Sequence, residues 1–394
     1  MKVLMVSDVY FPRVNGVSSS IVTFRRELRQ LGHEVVLVAP DYGRPSGEEE
    51  QVIRIPSWSV PGDREDRLMR MGQIDRLVPQ FADAGFDMVH IQTPFVAHYA
   101  GLRLAEALGL PKVVTYHTYF EEYLHHYLPF LPSRLARWVA RRYSRQQCND
   151  VDGVIVPSSV MLNVLKDYGV ENRFQVIPTG IQPERFRGGD GEGFRRRFNI
   201  PAQRPLLAFI GRVAFEKNID FLLRMLAVLR HSVSDVLLVI AGEGPAMPHL
   251  RRLTQRLGLE GHVAFIGYQD RETTLLDLYR ATDVFVFASR TETQGLVLLE
   301  ALAMGTPVVS TAILGTRDIL THCPGALVAE EDEAAFAASV ARVLTTPELK
   351  ARLASSGKAV LRDWSAQTLA RRLELFYLEV LADDAEAATQ AACG

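Results

Sequence analysis

Short β-rich runs alternate with helix-length segments along the chain, and this alternation restricts the fold more than any other feature. In the first half the runs are KVLMVS, EVVLVAP, VIRIPS, MVHIQT, KVVTYH and GVIVPS. After the first run, an apolar stripe at helical spacing ends at a glycine stop. The stripe is Ile21, Phe24, Leu28 and Leu31, and the stop is Gly32. Strands joined by crossover helices form a parallel sheet, so we predict an α/β fold.

The second half of the chain repeats the pattern. Its β-rich runs are LLAFIGR, VLLVIAGEG, HVAFIGY, VFVFASR and PVVST. Between the halves, QPERFRGGDGEGFRRRFNIPAQRP loses periodicity and collects glycine, proline and charge, which is typical of an interdomain connection. We therefore predict two Rossmann-like domains, residues 1–185 and residues 186–364, facing each other across a deep cleft. Parallel sheets bind ligands at the carboxyl ends of their strands, so the cleft is the predicted binding region.

The composition excludes several classes of protein. Of the 394 residues, 47% are hydrophobic and 23% charged, as in a globular protein of two or three domains. A formal net charge of −2 gives no reason to expect nucleic acid as a partner. No apolar stretch is as long as a signal-peptide core or a membrane span, so we expect a cytoplasmic protein. Three distant cysteines, Cys148, Cys323 and Cys393, predict free thiols.

Two common nucleotide-binding motifs do not occur in the sequence. A nicotinamide dehydrogenase places G-x-G-x-x-G after its first strand, where this chain reads SDVYFPRVNGVSSS with the single glycine Gly16. A P-loop is also absent, and GEGP at residues 242–245 is interpreted as a strand-to-helix turn. In the first loop, Asn15 and Gly16 predict a turn, and one of the three following serines is expected to cap the next helix. The free amides at a helix N-terminus suit an anion. An ordinary turn between strand and helix is the alternative interpretation of the same spacing.

Two cations follow one strand of the second domain. In FIGRVAFEKNIDFLLRML, Arg212 ends a strand and Lys217 precedes an apolar helical stripe. Both are predicted at the carboxyl edge of the sheet, beside a helix N-terminus that favours anions, where a diphosphate would bind. Two solvated surface cations are the alternative interpretation.

Two glutamates flank an apolar run in the stretch TETQGLVLLE. Glu292 follows the strand VFVFASR, Gly295 permits close backbone approach, and Glu300 lies inside the predicted helix LVLLEALAM. Because eight residues of helix rise about 12 Å, the acids are predicted to contact opposite ends of a sugar diphosphate nucleoside. A buried glutamate needs a partner to offset its desolvation. For Glu300, a salt bridge within the core is the alternative.

Together these motifs resemble family 4 of the retaining glycosyltransferases, which have the GT-B fold. The resemblance covers essentially the whole chain and rests on VIPTGI, GRVAFEKN, AGEGP, VAFIGY and DLYRATDVFVFASRTETQGLVLLEALAMGTPVVS. It implies that a terminal helix, about residues 365–394, crosses back to the first domain. The chain departs from the family at Gln182, where aspartate is usual, so no role is carried over to that residue.

The resemblance also implies roles for individual residues. Arg212 and Lys217 would hold the donor diphosphate, Glu300 would bind the ribose, and Gly16 would close the site from the other domain. Glu292 would meet the transferred sugar and phosphate, together with the amides of Thr293, Gln294, Gly295 and Leu296. The predicted catalytic residues are His117, Arg212, Lys217 and Glu292.

His117 ends a strand of the first domain and resembles the family's histidine near the donor sugar. A satisfied histidine at the sheet edge is the alternative. The adjacent His125 and His126 cannot share one helix face as i, i+4 metal ligands do, and no D-x-D pair follows a strand. We expect a nucleotide sugar as substrate, and neither a metal nor a cofactor.

A basic helix of the first domain bears on the acceptor. Its aligned residues are Arg134, Arg137, Trp138, Arg141 and Arg145. Such a face can bind an anionic bilayer surface, whereas a solvated arginine face is the alternative. Tyr119, Tyr123 and Tyr127 repeat every four residues, as a core stripe or as an acceptor platform. The region resembles the diacylglycerol glucosyltransferases, which implies a lipid acceptor and a peripheral position on the inner face of the plasma membrane.

Other functions fit parts of the pattern. UDP-glucose is the expected donor, with UDP-galactose and GDP-mannose open, and a phospholipid, glycan or small-molecule acceptor is the alternative to diacylglycerol. A nucleotide-sugar epimerase would turn over donor without an acceptor. A non-catalytic sugar-binding protein would keep Glu300 but would not need Arg212 and Lys217.

Overall fold

The computed structural model describes residues 1–13, 15–43, 50–60, 63–117, 133–321 and 323–393. The chain forms two compact units. The N-terminal unit comprises Met1–Gly180 with Ala366–Gly394, and the C-terminal unit comprises Ile181–Ser365. Each unit contains a parallel sheet flanked by helices, which confirms the predicted α/β class.

The N-terminal unit has a seven-stranded sheet. The strands of the unit are β1 (Lys2–Val6), β2 (Glu34–Pro40), β3 (Val52–Ile55), β4 (Ser57–Val60), β5 (Asp63–Met69), β6 (Met88–Ile91), β7 (Lys112–Thr115), β8 (Gly153–Val156) and β9 (Phe174–Val176). Its helices are α1 (Gly16–Gln30), α2 (Met71–Asp75), α3 (Val78–Ala82), α4 (Val96–Leu108), α5 (Ser133–Asn149) and α6 (Ser159–Asp167). The sheet order is β3-β2-β1-β6-β7-β8-β9, and β4 and β5 form a separate antiparallel pair.

The C-terminal unit has a six-stranded sheet. Its strands are β10 (Leu206–Ile210), β11 (Leu237–Ala241), β12 (Val263–Gly267), β13 (Val284–Phe287), β14 (Val308–Ser310) and β15 (Ala326–Val328). Its helices are α7 (Gly191–Arg197), α8 (Ile219–Leu229), α9 (Met247–Arg256), α10 (Thr274–Ala281), α11 (Leu296–Ala303), α12 (Thr316–Leu320), α13 (Glu333–Thr345) and α14 (Pro347–Gly357). The order β12-β11-β10-β13-β14-β15 is that of a Rossmann sheet, whose strands run 3-2-1-4-5-6. Every residue of β10 and β11 is buried, as expected when helices cover both faces of a parallel sheet.

A final helix, α15 (Ala366–Cys393), belongs to the N-terminal unit. Phe376 and Val380 of this helix are buried against the core around β1 and β8, and a Cβ at Gly153 would lie 2.7 Å from the Phe376 ring. Tyr377 places its hydroxyl 2.5 Å from Nδ1 of the buried His90 on β6. The apolar side chains and this hydrogen bond together hold the end of the chain against the first sheet.

The start of α1 differs from the sequence prediction. Asn15, and not one of the serines, is the N-cap: its Oδ1 accepts a hydrogen bond from the Ser18 amide at 2.9 Å. Ser18 instead completes a capping box, because its Oγ accepts from the Asn15 amide at 2.9 Å. The helix therefore begins at Gly16, two residues before the serines, and the serine cap was wrong. The stripe Ile21, Phe24 and Leu28 is buried as predicted.

Candidate active site

The candidate site lies where the strand order of the second sheet reverses. β10 and β13 are adjacent in the sheet, with β11 and β14 on their outer sides, so the loops after β10 and β13 diverge and leave a crevice. Ligands of open α/β sheets bind in this crevice at the carboxyl ends of the strands. The loops that line it carry Arg212 and Lys217 after β10, and Glu292 after β13.

Arg212 is an exposed cation at this edge. It lies two residues beyond β10, and its guanidinium has no ion-pair or hydrogen-bond partner within the part of the chain that the structure describes. Its backbone is fixed: the Val213 amide donates to the Glu243 carbonyl at 2.8 Å, and a Cβ at Gly242 would lie 1.9 Å from the Gly211 carbonyl oxygen. The glycine of the AGEGP stretch thus lets two loops touch, which places an unneutralised positive charge on a rigid turn.

Lys217 is paired with Glu292. Its Nζ donates to Glu292 Oε1 at 2.6 Å, and both side chains are mostly buried, at 18% and 21% exposed. Lys217 ends a short 3₁₀ turn, and Asn218, in the left-handed region at φ 55°, then begins α8. Lys217 and Glu292 therefore neutralise each other, a pairing that was not predicted from the sequence.

Two glycines, Gly295 and Gly315, allow the backbone conformation and the close contacts of the loop between Glu292 and α11. Gly295 has φ 94° and precedes α11, whose N-cap makes no side-chain hydrogen bond. The Gly315 amide donates to the Glu292 carbonyl at 2.9 Å, and a Cβ at Gly315 would lie 1.9 Å from the Thr293 carbonyl oxygen. Gln294 is buried and Leu296 begins the helix. The amides of the first turn of α11 consequently lack a side-chain cap, as suits an anion.

Glu300 lies inside α11 and is 3% exposed. Its Oε2 accepts from the Tyr279 hydroxyl at 2.9 Å, and its Oε1 forms an ion pair with Arg271. Glu300 raises the pKa of Arg271, and burial, followed by Glu300, raises the pKa of Tyr279 well above its usual value. The salt bridge that was the alternative interpretation of Glu300 is thus present.

The prediction that eight residues of helix separate Glu292 from Glu300 was wrong. Only Glu300 is helical, because α11 begins at Leu296 and Glu292 lies in the loop before it. The separation of the carboxylates is therefore set by the loop and the first turns of α11 rather than by eight residues of helix.

The remaining predicted residues belong to the N-terminal unit. His117 follows β7 and places Nε2 3.2 Å from Gln92 Oε1. Burial lowers the pKa of His117 to about 4, so the ring is neutral at neutral pH. Since an amide oxygen only accepts, Nε2 carries the proton and Nδ1 is left as an acceptor. Gly16 is the first residue of α1, and a Cβ there would meet no atom within 4 Å.

Asp8 lies at the corresponding reversal of strand order in the N-terminal sheet, between β1 and β6. Asp8 follows β1 and is 2% exposed. Its carboxylate accepts from Thr93 Oγ1 at 2.9 Å and from the Ala97 amide at 3.0 Å, so it caps the first turn of α4 from the loop after β1. Burial raises the pKa of Asp8 to about 6. Asp8 was not among the residues predicted from the sequence, where an acid just after the first β-rich run was the available signal.

The basic face predicted on α5 is exposed. Its residues Arg134, Arg137, Trp138, Arg141 and Arg145 all lie at the surface, with Trp138 59% exposed. Arg141 stacks over the Tyr168 ring at 5.3 Å. Leu135 and Val139 are also exposed on this helix. The helix thus presents aromatic, aliphatic and cationic side chains together.

Several predicted residues lie outside the described part of the chain. They are Tyr119, Tyr123, His125, His126, Tyr127 and the loop 128–132. Within the described ranges, no group of three or more His, Cys, Asp or Glu side chains could hold a metal ion. No helix in those ranges is both long and apolar enough to cross a membrane.

Comparison with known proteins defines the class. The model of "Glycosyl transferases group 1" matches residues 190–360, and that of "Glycosyltransferase Family 4" matches residues 14–185. The chain is similar to the structure of Anabaena HepE in complex with UDP-glucose, with a TM-score of 0.74 and 18% identity, over 97% of this chain and 100% of that one. The fold is therefore the predicted GT-B fold, built from two Rossmann-like units.

Relatives of established name extend the assignment. The chain is 32% identical to the alpha-monoglucosyldiacylglycerol synthase of Streptococcus pneumoniae R6, over 97% of this chain and 86% of that protein. It is 31% identical to the GDP-mannose-dependent alpha-mannosyltransferase of Mycobacterium tuberculosis, over 83% of this chain and 84% of that protein. The chain belongs to glycosyltransferase family 4, which confirms the resemblance found in the sequence.

Proposed function

We propose that the chain is a retaining hexosyltransferase that moves glucose from UDP-glucose to a membrane lipid such as diacylglycerol. One observation carries the proposal: at the strand-order reversal of the C-terminal unit, Arg212, which has no partner among the described residues, shares the loop after β10 with Lys217, and Lys217 pairs with Glu292 of the loop after β13. A donor diphosphate brings the negative charge that this edge leaves unmatched. The name of the Streptococcus pneumoniae relative supports glucose as the sugar and a diacylglycerol as the acceptor.

The chemistry asks the protein to stabilise a leaving group. As the bond from the anomeric carbon to the diphosphate lengthens, the sugar becomes oxocarbenium-like and negative charge gathers on the phosphate oxygens. In a retaining transfer on one face, the acceptor oxygen bonds to the anomeric carbon and its proton passes to the departing diphosphate. Arg212, Lys217 and the uncapped amides at the start of α11 are fixed donors for that charge, and each is worth a few kcal/mol, about 3 in comparable sites.

The other site residues receive roles that match their chemistry. Glu292 offers its second carboxylate oxygen to a sugar hydroxyl, since Lys217 contacts only Oε1. Nδ1 of the neutral His117 can accept a hydrogen bond from a sugar hydroxyl. Gly16 leaves space for a ligand at the start of α1. Glu300, whose carboxylate is already held by Arg271 and Tyr279, would present a fixed acceptor to the ribose.

The proposed reaction uses no metal and no cofactor. Arginine, lysine and backbone amides take over the neutralisation of the diphosphate that a divalent cation provides in other transferases. Activity that persists in excess chelator, and that added Mg²⁺ does not raise, is the expected result.

The proposed lipid acceptor places the protein at a membrane surface. Helix α5 exposes Trp138 with Leu135 and Val139 beside its arginines, which is the composition of an interfacial helix. Such a helix would bring the N-terminal unit to an anionic leaflet as a peripheral protein.

GDP-mannose is the second candidate donor. The Mycobacterium tuberculosis relative, named as GDP-mannose-dependent, is almost as similar in identity as the Streptococcus pneumoniae one. The contacts of Arg212 and Lys217 would serve either donor, because they concern the diphosphate and not the base.

A product assay tests the proposal. Radiolabelled UDP-glucose, UDP-galactose and GDP-mannose are each incubated with the protein, with and without vesicles that contain diacylglycerol. We expect an α-linked glycolipid from UDP-glucose only when lipid is present. Sugar interconversion without acceptor would establish an epimerase instead, and binding without turnover under any condition would establish a sugar-binding protein.

A further inference from the structure

Glu331 follows the edge strand β15, and its carboxylate joins two loops of the candidate site. Asn218 Nδ2 donates to Glu331 Oε1 at 3.0 Å. Arg290 Nε donates to the same oxygen at 2.7 Å, and Arg290 Nη2 also contacts it. A single oxygen thus receives hydrogen bonds from the loop after β10 and from the loop after β13.

Both partners of Glu331 lie next to the ion pair of the site. Asn218 directly follows Lys217, and Arg290 precedes Glu292 by two residues. Asn218 is 4% exposed and holds a left-handed backbone conformation at the start of α8, so its side chain has little freedom. A carboxylate that fixes Asn218 and Arg290 therefore restrains both ends of the Lys217–Glu292 contact.

The position of Glu331 makes this arrangement different from an ordinary surface ion pair. β15 is separated from β10 by β13 and β14, so the carboxylate reaches across the carboxyl edge of the sheet. Exposed pairs contribute little to stability, and Arg290 is 59% exposed, so the ion pair between Glu331 and Arg290 should contribute little to the free energy of unfolding. The positions of the two loops should depend on it, because one carboxylate oxygen accepts from the side chains of both Asn218 and Arg290.

We propose that Glu331 is a positioning residue that holds Lys217 and Glu292 in register for the donor diphosphate. The inference rests on the proposed function, since it assigns the register to diphosphate binding. Without Glu331 the two loops keep the Lys217–Glu292 pair and the 3.4 Å hydrogen bond from the Arg290 amide to the Glu216 carbonyl, but they lose the carboxylate that fixes the side chains of Asn218 and Arg290. Lys217 Nζ and the Arg212 guanidinium are then held less firmly as one anion site.

The experiment compares three variants by calorimetric titration with UDP and, separately, with GDP. Glu331→Ala removes both hydrogen bonds. Glu331→Gln keeps a side-chain oxygen for Asn218. Glu333→Ala is the matched control, because it breaks an ion pair with Arg224 at 2.9 Å only two residues away, on a side chain that contacts neither loop.

For the nucleoside diphosphate that the parent protein binds, we expect Kd to rise about tenfold in Glu331→Ala, less in Glu331→Gln, and less than twofold in Glu333→Ala. The lost hydrogen bond from Asn218 should lower the melting temperature of Glu331→Ala by about 2 to 4 °C and that of the other two variants less, so all four proteins are folded during the titration. Equal effects of Glu331→Ala and Glu333→Ala, or an unchanged Kd in Glu331→Ala, would overturn the positioning role.

A second measurement separates this inference from the proposed function. Crystal structures of the parent and of Glu331→Ala report the contact between Lys217 Nζ and Glu292 Oε1, which is 2.6 Å in the parent. A parent that binds neither UDP nor GDP would end the proposed function. A Lys217–Glu292 contact and loop positions unchanged in Glu331→Ala would end the positioning role even if UDP binds the parent.

Discussion

Lys217 Nζ and Glu292 Oε1 lie 2.6 Å apart, although the residues follow different strands of the second sheet. The pair means that Lys217 has a competing partner for any phosphate. Removing the lysine does two things at once, because it deletes a cation and leaves a mostly buried carboxylate without its partner.

A double-mutant cycle on this pair should be strongly non-additive. We expect Lys217→Ala to weaken UDP binding by about tenfold to a hundredfold, the usual range for a lost charged hydrogen bond. The double variant Lys217→Ala/Glu292→Gln should bind UDP more tightly than Lys217→Ala, because the unpaired carboxylate no longer repels the phosphates. Calorimetry measures both, and a double variant that binds more weakly than the single one would contradict this electrostatic account.

Arg212→Ala should leave the melting temperature nearly unchanged and lower kcat strongly. Since the guanidinium has no partner within the described ranges, the melting temperature should stay within about 2 °C of the parent. Loss of one fixed donor to a developing negative charge typically lowers kcat by about 10² to 10³. The matched control is Arg252→Ala on α9, where Nε donates to the Pro248 carbonyl at 3.2 Å within the same helix, and which should leave kcat unchanged.

Glu300→Ala, unlike Arg212→Ala, should lower the stability of the fold. The change removes the ion pair of Arg271 and leaves the buried Tyr279 hydroxyl only its longer hydrogen bond, 3.4 Å to the Val297 carbonyl. We therefore expect a loss of about 2 kcal/mol in unfolding free energy. For a unit of this size that corresponds to a melting temperature about 4 to 8 °C lower. Glu333→Ala, which breaks an exposed ion pair with Arg224, should lower it much less. Equal melting temperatures for Glu300→Ala and the parent would contradict the structural role.

The sequence alone predicted much of the frame of this site. Apolar runs identified the buried strands. Arg212 and Glu292 lie in the loops that follow two of these strands, and the loops meet at one sheet edge because parallel strands share one direction. The partners of Glu300 could not be predicted, because Arg271 and Tyr279 meet it only through tertiary packing.

Other features left weak signals in the sequence. The pair β4 and β5 was missed because the stretch DREDRLM is charged and lacks the apolar pattern of a strand. β9 and β15 have three residues each and are only partly buried, so they do not form a recognisable run. Glu331 follows such a strand inside the acidic stretch AEEDE, where spacing does not distinguish a bridging carboxylate from a solvated one.

The contribution of Asp8 to the stability of the N-terminal unit should fall as pH rises from about 4 to about 6. Its pKa is raised from 3.8 to about 6 in the folded state, so between these values the folded chain binds more protons than the unfolded chain. Its contribution is therefore fully present below about pH 3.8 and is lost as pH rises through about 6. The total change is about 3 kcal/mol, from about 2 pKa units at 1.36 kcal/mol each.

The comparison with Asp8→Asn isolates this carboxylate from the other titrating groups. The amide can still accept from the Ala97 backbone but does not titrate. Chemical denaturation at pH 4, 5, 6 and 7 gives the difference in unfolding free energy between the two proteins. That difference should shift in favour of the variant from pH 4 to pH 6 and then level off, whereas a constant difference would show that Asp8 has an ordinary pKa.

Binding to anionic vesicles should depend on the arginines of α5. Each basic residue near an anionic surface contributes about 1 kcal/mol, so the double variant Arg134→Gln/Arg145→Gln should partition about thirtyfold more weakly into vesicles that contain phosphatidylglycerol. Both arginines are exposed, so the variant should keep the melting temperature of the parent. Flotation with phosphatidylglycerol and with pure phosphatidylcholine vesicles measures the partition.

The matched control is Arg371→Gln/Arg372→Gln, which removes the same charge from exposed positions on α15. Because net charge falls equally in both variants, only a local membrane face predicts a difference between them. Equal losses would assign the binding to overall charge, and no binding of the parent to phosphatidylglycerol would remove the membrane surface from the proposed function.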